Sequence, residues 1–76
     1  YTYVLKCADG NMYIGSTGDL KHRMVEHADG QCDDTRKRLP VELIYDEACR
    51  SLSAARRREK QLKTGFGRGY LRKRLT

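Results

Sequence analysis

Three polar side chains stand where two amphipathic segments should bury apolar ones. In "LKHRMVEHA", Leu20, Met24 and Ala28 recur at helical spacing, and Arg23 and His27 lie one turn apart at the edge of that stripe. In "LSAARRREKQL", Leu52, Ala55 and Leu62 make the stripe, and Glu59 falls roughly 20° from Leu52 on the helical wheel, inside it. A carboxylate aimed at a sheet needs a partner, a metal ion or a raised pKa, because burying it bare is too costly. A salt bridge from a nearby Arg would satisfy Glu59, and a solvated edge Arg and a core-capping His would account for the other two. Together they offer a guanidinium, an imidazole and a carboxylate where two helices meet one sheet. That set suits phosphate chemistry. Arg grips phosphate oxygens in a planar fork, and one carboxylate with water ligands is enough to hold Mg²⁺.

The elements that must position these groups are legible in the pattern. Tyr1, Tyr3, Leu5 and Cys7 alternate with Thr2, Val4 and Lys6, which predicts a half-buried strand. Asp9-Gly10 is turn chemistry, and a second strand follows from Met12 to Gly15, so the two form a hairpin. Ser16-Thr17-Gly18-Asp19 has the S-x-x-D form of a helix start, for a helix running to about Ala28. "DGQCDDTRKRLP" reads as a loop closing at the only proline. A third strand then carries Val41, Leu43 and Tyr45 on one side. A second long helix starts behind a Ser cap and ends at Gly65, with Phe66 packing back and a last turn or two of helix in "YLRKRL". The order β-β-α-β-α-α predicts an α+β fold: a small three-stranded antiparallel sheet flanked by helices.

The chain of 76 residues is read as one small domain, 1–76. Its charge is unevenly spread. Residues 1–55 hold seven Lys/Arg against nine Asp/Glu, whereas residues 56–76 hold nine Lys/Arg and a single acid, Glu59. A basic end on a near-neutral body fits a polyanion binder, and it fits a solvated basic tail as well. Three scattered cysteines, Cys7, Cys32 and Cys49, form no C-x-x-C pair and suit a reducing, cytoplasmic setting. No zinc pattern and no membrane-spanning run is present in the sequence.

"TYVLKCADGNMYIGSTGDLKHRMVEH" and "SAARRREKQLK" together resemble the GIY-YIG nucleases. The likeness is to the small single-domain bacterial members and the nuclease domain at the start of the UvrC repair subunit. It rests on two tyrosines a hairpin apart, the "YIG" triplet, D-L-x-x-R-x-x-x-H and R-E-K-Q-L-K, and covers nearly the whole chain. The resemblance implies a metal-dependent endonuclease cutting phosphodiester bonds, with Mg²⁺ (or Mn²⁺) on Glu59. It implies catalytic roles for Tyr3, Tyr13, Arg23, His27 and Glu59, and a bare Gly15 that leaves the floor of the site open to phosphate. Tyr13 would act as general base only if metal or Arg charge lowers its pKa, and Tyr3 would orient the attacking water. Three features depart from the family pattern. "YTY" replaces Gly-Ile-Tyr, Ser16 stands where the UvrC-like members carry Lys, and Asp33-Asp34 stand in the long loop where relatives tend to be basic or aromatic.

The reading that follows is a DNA endonuclease, structure-selective, with a repair or recombination role. Its partner is nucleic acid, DNA ahead of RNA, with no membrane involved. Gly15, Ser16, Arg36, Lys37, Arg38, Arg56, Lys63, Arg72, Lys73 and Arg74 are its substrate-binding residues. Two other readings stand beside it: a non-catalytic nucleic-acid-binding module of the same fold, and a small adaptor whose basic end meets acidic proteins.

Overall fold

The computed structural model describes residues 1–75, without the side chains of Phe66 and Leu75, so the expected packing of Phe66 lies outside the described residues. Three strands, β1 (Thr2–Cys7), β2 (Met12–Ser16) and β3 (Val41–Glu47), alternate with α1 (Leu20–Ala28), α2 (Leu52–Leu62) and α3 (Gly65–Leu75) in the expected order β-β-α-β-α-α. The sheet is antiparallel throughout, in the order β2-β1-β3.

The central strand differs from its half-buried expectation. Thr2, Tyr3, Val4 and Leu5 are all fully buried, because helices cover both faces of β1. On one face Val4 and Ile14 pack with Leu62 of α2 and Leu71 of α3. Thr2 is accommodated there because its hydroxyl donates to the Ala55 carbonyl at 2.8 Å. On the other face Tyr3 meets His27 of α1.

A bulge corrects the expected side assignment in β3. Val4 pairs with Tyr45 while Leu5 pairs with Leu43, so Ile44 is the extra residue. Strict alternation is broken, and Ile44 and Tyr45 both pack against the Val4 cluster instead of Tyr45 sharing a side with Leu43.

The helix boundaries also shift. Asp19, not Ser16, caps α1 by accepting from the His22 N–H at 3.0 Å, since Ser16 is still in strand. The buried residue of α1 is His27, whereas Ala28 is exposed. Ser51 caps α2 as expected, but Leu52 is 42% exposed, and the buried stripe consists of Ala55 and Leu62. Gly65 opens α3 instead of closing α2. Thr64 makes this possible: its hydroxyl donates to the Gln61 carbonyl at 2.6 Å and accepts from the Gly67 N–H at 3.2 Å. One residue therefore ends one helix and caps the next, and the expected turn or two becomes an 11-residue helix.

A polar clip fixes α3 to the sheet. Arg58 Nε donates to Glu47 Oε1 at 2.6 Å, the Tyr45 hydroxyl donates to Glu47 Oε2, and the Arg58 guanidinium lies 4.8 Å above the Tyr70 ring. Arg74 Nε donates to the Tyr70 hydroxyl at 3.1 Å.

Gly67 sets how closely α3 approaches α2. A Cβ there would collide with the Gln61 carbonyl and the Leu62 backbone, whereas one at Gly69 would meet nothing. Gly67→Ala is expected to destabilise by about 1–3 kcal/mol through overpacking. Gly69→Ala is expected to be neutral or to stabilise by up to about 1 kcal/mol. Urea denaturation of the two variants checks this; equal effects would contradict it.

Candidate active site

The β1–β2 register places Tyr3 opposite Gly15 and Leu5 opposite Tyr13, so both tyrosines point to the α1 face. A Cβ on Gly15 would stand 2.5 Å from the Tyr3 hydroxyl and 3.1 Å from the Tyr13 ring. The missing side chain makes room for a phenol. This corrects the expected role of Gly15: its open space is filled by Tyr3 and is not left for phosphate.

Tyr3 and His27 have no exposed surface. The Tyr3 hydroxyl and His27 Nε2 are 2.9 Å apart, and His27 Nδ1 lies 2.7 Å from the hydroxyl of Thr35, itself fully buried. Tyr13 completes the aromatic group, its centroid 6.3 Å from that of Tyr3 and 5.4 Å from that of His27. Arg23 Nε donates to the Tyr3 hydroxyl at 3.4 Å, and Arg23 Nη1 lies 3.6 Å from Glu26. The hydrogen bond to Tyr3 raises the Arg23 pKa further, so the guanidinium is a permanent cation.

Glu59 arrives from the opposite face, across the edge strand β2. Ser16 donates to its Oε1 at 2.7 Å, and Lys63 Nζ donates to its Oε2 at 2.7 Å. Burial pushes its pKa up, but the Lys63 and Ser16 hydrogen bonds and the nearby Lys63 and Arg56 charges outweigh this, and the net shift is downward. The anomalous carboxylate thus has a partner, Lys63 one turn along its own helix, where a nearby Arg is expected. Its charge is felt by Tyr13. Burial raises the Tyr13 pKa most, Asp34 and Glu59 raise it further, and the opposing pull of Arg23 does not prevail. The lowering that general-base action requires is therefore not supplied by Arg23.

Beside Tyr13, the β2 edge opens into a groove of about 770 Å³ lined by residues 11–14, Asp34, Arg38, Lys63 and Arg68. Three cations converge there from the long loop, α2 and α3.

Residues 1–73 match the family model described as the GIY-YIG catalytic domain. The chain belongs to the GIY-YIG family. It is 46% identical to the UPF0213 protein of Bacillus pumilus over 84% of this chain and 66% of that protein. A UPF0213 protein of Streptococcus agalactiae is 48% identical over 78% of this chain and 68% of its own length. One from the archaeon Natronomonas pharaonis is 45% identical over 84% and 76%. The chain thus spans about two thirds to three quarters of these three relatives. No solved structure matches it. A GIY-YIG catalytic domain is a nuclease-type domain, and nucleic acid is its substrate class.

On this GIY-YIG chain the structure brings Tyr3, Tyr13, Arg23 and His27 together, with Glu59 joined to them through β2 and Ser16. Of the other expected residues, Arg38 and Lys63 reach the groove, although Arg38 also pairs with Asp9 at 3.4 Å. Arg36 pairs with Asp33 at 3.5 Å, and Lys37, Arg56, Arg72 and Lys73 are exposed outside the groove. Arg74 belongs to the Tyr70 clip and is not a free cation, because its guanidinium is held over that ring. Arg68 falls within the basic 56–76 segment of the sequence reading but is not singled out there, because "TGFGRGY" is taken as a helix end; Thr64 as an N-cap is the signal that makes Arg68 helical and groove-facing.

The donor set fits a hard divalent cation held by one carboxylate, water and substrate oxygens. Among the described residues no group of three His, Cys, Asp or Glu converges, so an all-protein cage is not offered. Glu59 is the carboxylate that would fit this role, and Lys63 Nζ holds its Oε2 at 2.7 Å.

Burial, then the Arg23 charge, lowers the His27 pKa below the ordinary imidazole value of 6.5. The unfolded chain therefore binds more protons than the native one between that lowered value and 6.5. Stability is full above 6.5 and falls as pH drops through this window. The thermal midpoint should drop between pH 7 and the carboxylate range, and His27→Gln should flatten that drop. An unchanged pH slope in the variant would contradict the neutral buried imidazole.

Proposed function

We propose that this GIY-YIG chain is a divalent-metal-dependent endonuclease that hydrolyses phosphodiester bonds in DNA. The observation that carries the proposal is a half-buried phenol, Tyr13, that lines a cationic groove and feels both a fixed cation, Arg23, and an ionised carboxylate, Glu59. The cations of that groove, Arg38, Lys63 and Arg68, can each take a backbone phosphate. Recognition by backbone and shape follows, which fits structure-selective cutting and a repair or recombination role. Three free thiols fit action in a reducing cytoplasm.

In this reading Arg23 binds the phosphate and balances the charge that builds on its equatorial oxygens. Tyr3 orients Arg23 from beneath and is itself sealed from solvent, so contact with the attacking water falls to Tyr13. Tyr13 stays protonated in the metal-free protein and holds that water by a hydrogen bond. Glu59 would hold Mg²⁺ or Mn²⁺, which when bound polarises the phosphate and stabilises the leaving oxygen. Lys63, which donates to Glu59 Oε2 and lines the groove wall, would also be placed to meet a neighbouring phosphate. Ser16 keeps Oε1 oriented meanwhile.

Glu59→Gln separates an enzyme from a binding module. Cleavage of branched, flapped, nicked and single-stranded DNA should fall by about 100-fold or more, the scale of losing a transition-state contact. Binding to DNA without metal should survive, and the thermal midpoint should hold because a neutral amide is cheaper to desolvate. An unfolded variant, or one with normal activity per folded molecule, would make Glu59 a structural ion-pair partner. A wild-type chain that binds DNA and cuts none of these substrates with Mg²⁺ or Mn²⁺ would make it the binding module.

A further inference from the structure

Thr35 lies in the long loop between α1 and β3, where nothing in the sequence marks it, yet it is fully buried. Its hydroxyl is the partner of His27 Nδ1, at 2.7 Å. Its backbone is held as well: its N–H donates to the Cys32 carbonyl at 3.2 Å, and its carbonyl accepts from the Arg38 N–H at 2.9 Å. The hydroxyl therefore stands at a fixed point behind the imidazole.

We propose that Thr35 is a positioning residue that fixes His27 as the Nδ1–H tautomer and, through it, orients Tyr3 and Arg23. The assignment follows from counting protons along the line Arg23–Tyr3–His27–Thr35. Arg23 can only donate, so its Nε–H uses a lone pair of the Tyr3 hydroxyl. If the phenol then donates to His27 Nε2, Nδ1 carries the ring proton and donates to Thr35. The only proton left over is that of the Thr35 hydroxyl, a weak donor that rotates freely. In the opposite tautomer the Tyr3 oxygen would receive two N–H groups. Its own proton, on the more acidic and stronger donor, would then be stranded inside the protein. Which imidazole nitrogen is protonated is set by the hydrogen bond that the other makes, and here both partners are buried side chains.

The consequence reaches the reacting centre without Thr35 touching it. With Nδ1–H anchored, Nε2 is always an acceptor, the phenol proton points at it, and the free lone pair of the phenol faces Arg23. That holds the Nε edge of the guanidinium, beside the Nη1 contact to Glu26 at 3.6 Å. The same loop carries Asp34 and Arg38 to the groove, so Thr35 also ties the groove wall to the site. The effect on catalysis rests on the nuclease reading, whereas the tautomer does not.

The test is long-range ¹H–¹⁵N correlation of the imidazoles in the uniformly labelled full chain, with exposed His22 as the internal reference. Wild type should show His27 Nδ1 protonated and Nε2 unprotonated. Thr35→Val, which keeps the shape and removes the acceptor, should leave the Nδ1–H unpaired and shift its ¹H and ¹⁵N resonances, with Nε2 still the acceptor of the Tyr3 proton. Thr35→Ser should retain the wild-type pattern. In cleavage assays Thr35→Val should lower kcat by about 10-fold with KM little changed, the scale of losing a partner that orients a ring, and Thr35→Ser should restore it. A wild-type His27 protonated on Nε2, or ¹⁵N shifts unmoved in Thr35→Val, would overturn the proposal; the wild-type spectrum alone decides it if the Val variant fails to fold. A chain with the expected spectrum and no cleavage would support the Thr35 assignment and overturn the nuclease reading instead.

Discussion

The rest of the molecule is arranged around a hydrogen bond of 2.9 Å between Tyr3 and His27, two side chains with no exposed surface. A small domain has little apolar burial to spend on polar groups, and an unpaired phenol or imidazole in its interior would cost several kcal/mol. Here both are paired again at their far ends, to Arg23 and Thr35, and among the described residues no buried side-chain polar atom lacks a partner. That requirement explains several features at once. Gly15 must lack a side chain so that the phenol can cross β2. α1 must turn His27 inward at the expense of Ala28, and the long loop must bring Thr35 under cover.

Electrostatically the site is divided by β2. Its α1 side holds a permanent cation over two neutral phenols and a neutral imidazole; its α2 side holds an anion neutralised by Lys63. Buried polar lines of this kind are rigid because each member has few alternative partners. The edge of β2 is where the two sides approach one another, and there the groove opens. Ser16 illustrates the economy of this arrangement. Its hydroxyl steadies Glu59 Oε1 while Lys63, at the C-cap of α2, supplies the positive charge.

Much of this was legible in the sequence, and the misses have physical causes. The order of elements followed from periodicity, and the polar residues intruding on helical stripes, Arg23, His27 and Glu59, were visible as anomalies. The burial of β1 on both faces was not, because Thr2 counts as polar until the Ala55 carbonyl that receives its hydroxyl is known. The bulge at Ile44 leaves no mark in "VELIYDE", since Ile and Leu suit either face. Thr35 was missed and Arg68 not singled out for related reasons: one acquires its role from a partner eight residues away across a loop, the other from a helix boundary that Gly65 disguises. Arg74 was read from charge alone, which does not reveal that this exposed cation also lies over Tyr70.

The central claim is that the buried Tyr3–His27 pair orders a catalytic site around Arg23 and does not merely fill the core. Tyr3→Phe tests it most directly, because it keeps the ring that packs against Gly15 and removes only the hydroxyl that holds Arg23 and His27. The decisive measurement is the cleavage rate of this variant under saturating DNA and Mg²⁺, alongside its thermal midpoint. A rate at least about 10-fold lower in a protein that remains folded is the predicted result. A folded Tyr3→Phe protein cutting at the wild-type rate would contradict the account.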